Sequence, residues 1–216
     1  MELTLQNLIP VPLKDRLQQR SSDIWSKQVF LQQGQRVKIK APSGSGKTTL
    51  LHVLYRLRND YEGQVLWNGK DERSYSDTAL AVLRQEKVSV VFQDLRLFAH
   101  LTARENIELN RLLPATPYCE TGVIDVMAER LGITGILHQR AGLCSYGEQQ
   151  RIAIIRALVQ PFEWLLMDEP FSHLDANNTN KAAALIAEEC DKRKAGFVLT
   201  DLDEDSHFTY TTFYNL

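Results

Sequence analysis

The sequence predicts an α/β fold with a mainly parallel sheet, an antiparallel β subdomain near the N-terminus and an inserted helical subdomain. Three observations predict it. Residues 35–40 form a strand-like run that is followed by a loop of small residues and then by a helix-like run. The short apolar runs 88–92, 164–167 and 196–200 are typical of strands buried on both faces of a parallel sheet. Between these runs, residues 95–161 have a mostly helical pattern.

We expect the chain, residues 1–216, to form a single domain. Residues 1–94 and 162–216 are assigned to the catalytic α/β core with its β subdomain. Residues 95–161 are assigned to the helical subdomain.

Local patterns add four expectations within this frame. Apolar and polar residues alternate over residues 2–9, which predicts an edge strand. Residues 29–40 indicate a hairpin that leads into the loop. Asn68-Gly69 after a strand-like run predicts a tight hairpin turn. Residues 208–214 are expected to form the final strand.

The loop after residue 40 has the composition of a phosphate-binding loop (Walker A), which makes the predicted fold a P-loop NTPase core. Small residues let backbone N–H groups converge on an anion, and the next helix adds the positive end of its dipole. Lys47 is placed to reach the β- and γ-phosphates, and the Thr48 hydroxyl to bind Mg²⁺. Ala41 stands where the pattern has its first glycine. Because alanine has a side chain, it fits this position only if its φ is negative. The predicted nucleotide-binding residues are Pro42, Ser43, Gly44, Ser45, Gly46, Lys47, Thr48 and Thr49.

Two acids end the apolar run 164–167. Buried carboxylates are costly without a ligand or partner, and the carboxyl end of a parallel strand faces the crevice where α/β sheets bind ligands. Asp168 is therefore expected to hold Mg²⁺, and Glu169 to act as the general base. Gln93 ends another buried strand, where its amide can coordinate Mg²⁺ or hydrogen-bond the attacking water. The alternative is solvent-exposed turn residues at all three positions.

A second helix start stands at Ser145. Ser145 followed three residues later by Glu148 predicts a capping box, as does the pair Thr102 and Glu105. A helix N-terminus is also an anion site. From these residues alone, a well-capped structural helix is the alternative interpretation.

Composition narrows the functional classes. The net charge of −2 provides no general attraction to nucleic acid or to an anionic membrane, so no nucleic-acid partner is expected. The three cysteines are far apart in sequence, which argues against a disulfide framework and suits a reducing cytosol. No signal peptide or membrane-spanning run is visible, so we expect membrane association only through a partner.

In chain order these motifs resemble those of the ATP-binding cassette (ABC) ATPases. The resemblance extends over nearly the whole chain and is nearest to the ATPase subunits of lipoprotein-release, macrolide-export and cell-division type transporters. It rests on the phosphate loop, Gln93, Ser145-Tyr146-Gly147-Glu148-Gln149-Gln150-Arg151, Asp168-Glu169-Pro170 and Ser172-His173-Leu174-Asp175.

The resemblance implies a head-to-tail homodimer with two ATP molecules at its interface. Each ATP would lie between the phosphate loop of one subunit and the signature residues Ser145, Tyr146, Gly147 and Glu148 of the other. Asp175 would couple the two sites, and Gln93 would report the nucleotide state to an integral membrane permease. The resemblance also implies Lys47, Gln93 and Glu169 as catalytic residues, and Thr48, Gln93 and Asp168 as Mg²⁺ ligands. The helical subdomain would receive the permease.

The chain departs from the family pattern at four places. Cys144 and Tyr146 replace Leu and Gly in the signature, and Ala41 replaces the first loop glycine. Asp201 stands at the switch position in place of His, and a carboxylate cannot donate to a phosphate as His can. No aromatic residue precedes Ile24 to stack on adenine, and Trp25 is the nearest candidate, with core packing as its alternative role. His207 is a possible substitute for the missing switch histidine.

These features predict the ATP-hydrolysing subunit of an ABC transporter, peripheral on the cytoplasmic face of the membrane. A hydrolysis-impaired module that dimerises on ATP is the alternative, motivated by Tyr146 and Asp201. A non-transport ABC ATPase acting on nucleic acid or ribosomes is a third possibility. The single cassette and the lack of a basic tract argue against it.

Overall fold

The computed structural model describes residues 1–17, 21–202 and 204–216. In these parts of the chain, nine strands form two sheets. Single 3₁₀ turns lie at residues 11–13, 72–74, 134–136 and 141–143. The strands are β1 (Leu3–Pro10), β2 (Gln28–Leu31), β3 (Arg36–Lys40), β4 (Tyr61–Trp67), β5 (Lys70–Asp71), β6 (Val88–Val91), β7 (Trp164–Asp168), β8 (Gly196–Asp201) and β9 (Thr212–Asn215). The helices are α1 (Lys14–Leu17), α2 (Lys47–Leu54), α3 (Asp77–Glu86), α4 (Ala103–Arg111), α5 (Gly122–Arg130), α6 (Tyr146–Leu158) and α7 (Ala176–Arg193).

The larger sheet is parallel and confirms the predicted core. Its strand order is β6-β7-β8-β3-β9, and each neighbouring pair is parallel. All five residues of β7 are buried, because helices cover both faces of such a sheet. The carboxyl ends of β3, β6, β7 and β8 therefore lie at one edge, where the predicted site residues follow them.

The smaller sheet is antiparallel in the order β2-β1-β4-β5. It corrects two expectations. β1 is an interior strand rather than an edge strand, because it pairs with β2 on one side and β4 on the other. β2 and β3 do not form a hairpin: β2 joins the antiparallel sheet and β3 lies between β8 and β9. The predicted hairpin at Asn68-Gly69 is confirmed by the pairing of Trp67 with Lys70.

Helices α4, α5 and α6 lie between β6 and β7 in the chain, as the helical pattern predicts. Capping boxes at Thr102 and Ser145 start α4 and α6. One buried apolar cluster contains residues of these helices together with residues of β7 and β8. The division at residues 95–161 stays a prediction.

A second apolar cluster joins β1, β2 and β4 to α2 and to the opposite face of the parallel sheet. The last strand, Thr212–Asn215, is shorter than predicted. None of the helices in the described parts of the chain is long and apolar enough to cross a membrane.

Candidate functional site

The loop between β3 and α2 has the backbone that its glycines predict. Gly44 and Gly46 have φ values of 75° and 100°, which only glycine adopts without strain. A Cβ on Gly46 would lie 3.1 Å from Cζ2 of Trp25 and 3.2 Å from Cδ1 of Leu13. The loop therefore lies directly on these two side chains.

Trp25 packs against the phosphate loop. The ring is buried, and its Nε1 donates to the carbonyl oxygen of Ser45 at 3.2 Å. A ring enclosed in this way cannot stack on a nucleotide base, so the packing role is correct for Trp25 and the stacking role is wrong.

Ala41 fits its position without a glycine. It is fully buried, its N–H donates to the carbonyl oxygen of Asp201 at 2.9 Å, and it is not among the residues of positive φ. Because the residue continues the strand geometry of β3, a methyl group is accommodated.

Lys47 is the first residue of α2 and points back along the loop. Its Nζ donates to the carbonyl oxygen of Ala41 at 3.0 Å and forms an ion pair with Oε1 of Glu169 at 3.2 Å. Both side chains are largely buried. The cation thus lies between the start of the loop and the acid at the end of β7.

Thr48 and Asp168 are in direct contact. The Thr48 hydroxyl donates to Oδ2 of Asp168 at 2.6 Å, and the Thr200 hydroxyl donates to Oδ1 at 2.8 Å. Oε1 of Gln93 lies 3.4 Å from the Thr48 hydroxyl. Hydroxyl, amide and carboxylate oxygens thus converge on one point, and this is the donor set that Mg²⁺ prefers. The residues present fit that ion.

Glu169 is held in an unusual conformation. Its φ is 46°, which is strained for a residue with a side chain. The backbone is fixed by a hydrogen bond from its N–H to the carbonyl oxygen of Thr200 at 2.9 Å. Nε2 of Gln93 donates to Oε2 of Glu169 at 3.2 Å. The carboxylate is thereby directed toward Lys47 and Gln93.

Sequence reasoning missed the positioning role of Gln150. Its Nε2 donates to the carbonyl oxygen of Glu169 at 3.2 Å, and its Oε1 accepts from the N–H of His173 at 3.0 Å. The available signal was an amide side chain within the signature-like run that starts α6.

The phosphate loop and these side chains enclose a cleft of about 320 Å³. Lys47, Thr48, Gln93 and Glu169 line it. Two further residues, Leu13 and Arg16, line it without having been predicted. The described lining residues are Leu13, Arg16, Ser43, Gly44, Gly46, Lys47, Thr48, Thr49, Gln93 and Glu169.

The signature residues start α6 outside this cleft. The Ser145 hydroxyl accepts from the N–H of Glu148 at 3.4 Å and donates to its carboxylate at 2.8 Å. The hydrogen bonds from Ser145 keep the pKa of Glu148 below its usual value. A Cβ on Gly147 would lie 2.9 Å from the carbonyl oxygen of His173, so glycine is required there.

Tyr146 turns toward its own chain. Its ring lies edge-on to His173 with 4.1 Å between ring centroids, and 47% of the residue is exposed. Both rings line a second cleft of about 330 Å³ together with Thr48, His52, Gln93 and Asp94. The ring thus points along the chain surface beside the predicted metal residues.

The remaining two predicted residues contact neither cleft. Asp175 is the N-cap of α7 and accepts from the N–H of Asn178 at 2.7 Å. Asp201 lies 3.6 Å from Nζ of Lys38. With His207 it lines a third cleft of about 330 Å³. Asp201 and His207 are therefore not among the described residues that line the cleft at the phosphate loop of their own chain, although the backbone of Asp201 bonds to Ala41.

Comparison with known proteins is consistent with this geometry. The family model described as "ABC transporter" matches residues 27–172. An uncharacterized ABC transporter ATP-binding protein of Thermotoga maritima is 37% identical over 78% of this chain and 72% of its own. Lipoprotein-releasing system ATP-binding protein LolD 1 of Rhodopseudomonas palustris is 33% identical over 81% of this chain and 78% of its own length.

Two further proteins show the range of the similarity. The macrolide export ATP-binding/permease protein MacB of Bdellovibrio bacteriovorus is 30% identical over 81% of this chain but only 27% of its own length. The dimeric post-hydrolysis structure of the ATP-binding cassette MJ0796 bound to ADP and Pi superposes with a TM-score of 0.78. It is 25% identical and covers 93% of this chain and 88% of that one. The chain therefore belongs to the ABC transporter family, and its sequence and fold group it with the ATP-binding cassettes of the LolD and MacB type.

Proposed function

We propose that this protein is the ATP-binding and ATP-hydrolysing subunit of an ABC transporter. The observation that carries the proposal is the continuous contact network Asp168–Thr48–Gln93–Glu169–Lys47 at the mouth of the phosphate loop. An ammonium, a group of hydroxyl, amide and carboxylate oxygens and a second carboxylate are in contact there, and these are the groups that phosphoryl transfer to water needs.

The loop residues 42–49 bind the phosphates through backbone N–H groups and Lys47. Thr48, Gln93 and Asp168 would hold Mg²⁺, which neutralises charge on the phosphates. Lys47 exchanges its ion pair with Glu169 for the phosphates when ATP binds. The carboxylate of Glu169 is then free to accept a hydrogen bond from the attacking water.

Glu169 acts as the general base. Its backbone is fixed to Thr200 and its carboxylate to Gln93, so little reorganisation is needed at the moment of reaction. Gln93 contacts both the metal-binding hydroxyl and the base, which also suits it to transmit the state of the nucleotide.

A second copy completes the site in a head-to-tail dimer. Ser145, Tyr146, Gly147 and Glu148 start a long helix yet do not line the cleft of their own chain. The free N–H groups of a helix start suit the γ-phosphate of ATP held by the partner. Asp175, at the start of α7, couples the two sites. The dimeric state of the MJ0796 cassette supports this arrangement.

The permease docks on the helical segment, which places the protein on the cytoplasmic face of a membrane. An apolar cleft of about 510 Å³ there is lined by Leu101, Leu109 and Leu112 with two acids at its rim, Glu105 and Glu108. Phe98 and Leu113 are exposed in the same segment. Exposed apolar side chains in one region mark interaction surfaces. The combined ATP-binding/permease chain of MacB supports a partner of this kind.

Glu169→Gln tests the proposal. The amide keeps the shape of the side chain but cannot accept a proton, so we expect ATP turnover to fall at least about 100-fold. ATP affinity should stay within about three-fold, because the phosphate loop is unchanged. Calorimetric titration and phosphate release measure the two quantities.

Glu188→Gln is the matched control, since Glu188 on α7 forms an exposed ion pair with Arg130 on α5 and does not line the cleft. Turnover by Glu169→Gln at the wild-type rate would remove Glu169 from the mechanism. The hydrolysis-impaired alternative requires near-zero turnover of the wild-type dimer, and a large gain of turnover in Asp201→His would support it.

A further inference from the structure

The first turn of α6 contacts His173 at three points. The ring of Tyr146 lies edge-on to the His173 ring, with 4.1 Å between the ring centroids. The backbone at Gly147 approaches the carbonyl oxygen of His173 so closely that a Cβ there would lie 2.9 Å from it. Oε1 of Gln150 accepts from the N–H of His173 at 3.0 Å. One helical turn thus fixes the ring, the carbonyl group and the N–H of a single residue.

The same turn holds the backbone of Glu169. Nε2 of Gln150 donates to the carbonyl oxygen of Glu169 at 3.2 Å, and that oxygen also accepts from the N–H of Ser172 at 3.3 Å. The φ of Glu169 is 46°, and such a strained backbone persists only where several surrounding contacts fix it. Because the amide of Gln150 bridges the backbones of Glu169 and His173, a displacement of His173 is transmitted to Glu169.

The ring contact is made where the segment after Glu169 is exposed. Ser172, His173 and Asp175 are exposed, whereas Gln150 is buried. An exposed segment has few packing contacts, so each contact that remains contributes more to its position. The edge-on arrangement of Tyr146 and His173 is favourable for two aromatic rings. A glycine at position 146, as in the family pattern, has no ring with which to make this contact.

We propose that Tyr146 is a positioning residue for Glu169 of its own chain. Tyr146 holds His173 in place, and Gln150 transmits that position to the backbone of Glu169. The proposal rests on the proposed hydrolysis and on Glu169 as its general base. The residue that departs from the family signature thus supports hydrolysis in this chain instead of impairing it.

Tyr146→Ala tests the proposal through kcat and KM. Alanine is compatible with the helix start but removes the ring, so Glu169 is held less accurately. We expect kcat for MgATP hydrolysis to fall about ten-fold, because small displacements of a catalytic group slow the reaction. We expect KM to change less than about three-fold, since the phosphate loop is intact. Tyr146→Phe keeps the ring and should retain kcat within about two-fold of the wild type.

A double variant tests whether Tyr146 acts through His173. His173→Ala removes the second ring and leaves the backbone contacts of residue 173 in place. Two side chains that act through one shared contact have non-additive effects, so Tyr146→Ala, His173→Ala and the double variant should each lose about ten-fold in kcat.

Tyr118→Ala is the matched control. Tyr118 is 46% exposed, compared with 47% for Tyr146, and its ring packs on the guanidinium of Arg193. Its loss should change kcat by less than about two-fold, because surface substitutions away from a site have small effects.

A contact between Tyr146 and the ATP of the partner is tested separately. Dimer formation with MgATP is measured by sedimentation velocity for Glu169→Gln and for Glu169→Gln/Tyr146→Ala. A role confined to the general base of the same chain predicts dimer dissociation constants that differ by less than about three-fold.

The possible failures are distinct. Turnover by Tyr146→Ala at or above the wild-type rate overturns the positioning role, and so do losses that add in the double variant. A rise in KM or in the dimer dissociation constant that equals the loss of turnover also overturns it, because Tyr146 would then act on the nucleotide of the partner. A wild type without turnover, or Glu169→Gln at the wild-type rate, overturns the proposed function and the positioning role with it.

Discussion

Asp168 and Asp201 end neighbouring parallel strands, β7 and β8, and yet have different surroundings. Asp168 is 2% exposed and accepts hydrogen bonds from two hydroxyls, those of Thr48 and Thr200. The side chain of Asp201 is 30% exposed and its charged neighbour is Lys38. Hydroxyl partners leave the charge of Asp168 available to a cation, whereas a lysine neutralises that of Asp201.

Lys38 explains why the second carboxylate differs. It lies in the middle of β3, is fully buried, and its ammonium contacts both Asp201 and Asp205. Burial raises the pKa of Asp205, but hydrogen bonds from Lys38 and Tyr210 hold it below its usual value. The segment after β8 is thus attached to the sheet by a buried ion pair. The same residue type at the ends of neighbouring strands is hydrogen-bonded to two hydroxyls in one case and faces a buried lysine in the other.

Asp168→Asn should produce the largest effect, because it removes the charge from the proposed metal site and keeps the shape. We expect turnover to fall about 1,000-fold, which is about 4 kcal/mol in the activation barrier. Phosphate release at saturating MgATP measures it. Asp201→Asn is the matched control, and we expect its turnover to differ from that of the wild type by less than two-fold. Similar losses in the two variants would break the distinction between the two carboxylates.

Lys38→Met should have the next largest effect, on stability. It leaves Asp205 and Asp201 without their buried cation, so we expect the free energy of unfolding to fall by about 3 kcal/mol. Urea denaturation at pH 7 measures it. Lys40→Met on the same strand removes an exposed ion pair with Glu204, and should change stability by less than about 0.5 kcal/mol. Equal effects would mean that burial of the ion pair is unimportant.

Another buried carboxylate, Glu72, has a hydrogen-bond partner for one of its two oxygens. Its Oε1 accepts from the Tyr61 hydroxyl at 2.7 Å, and its Oε2 has no partner in the described parts of the chain. Burial raises the pKa of Glu72 to about 7 from 4.5. The folded state therefore binds this proton more tightly than the unfolded state. The resulting stability is present below pH 4.5 and is lost as the pH rises through 7.

Glu72→Gln removes this titration. Between pH 5 and pH 8, we expect the free energy of unfolding of the wild type to fall by about 2 kcal/mol more than that of the variant. Urea denaturation at both pH values measures the difference. Glu62→Gln, an exposed neighbour on β4, should leave the pH dependence unchanged. Parallel pH profiles for wild type and Glu72→Gln would refute the assignment.

Local sequence signals predicted the parts of the structure that depend on local contacts. The capping boxes at Thr102 and Ser145 need only residues three apart in the chain, and they form as predicted. The strand–loop–helix arrangement around Lys47 also follows from neighbouring residues. The contacts of Thr48 with Asp168 and Gln93 follow from the topology of the parallel sheet, because the carboxyl ends of β3, β6 and β7 lie at the same edge.

The errors concern partners distant in sequence. Residues 29–40 have a hairpin pattern, but β2 and β3 separate into two sheets because β3 finds neighbours near residues 198 and 213. Nothing near Lys38 in sequence indicates that Asp205 will neutralise it. Likewise, Arg16 precedes the phosphate loop by many residues, so only the fold reveals that it lines the cleft.

The capping box at the start of α6 has a consequence for assembly. A hydroxyl has one proton to donate, and that of Ser145 is donated to Glu148 in the same chain. To donate to a phosphate held by a second copy, Ser145 must give up this bond. Closure of the proposed dimer therefore exchanges one internal hydrogen bond for one between subunits. The net gain in the free energy of association is small. A weak gain at each of two sites favours an interface that reopens once the phosphate leaves.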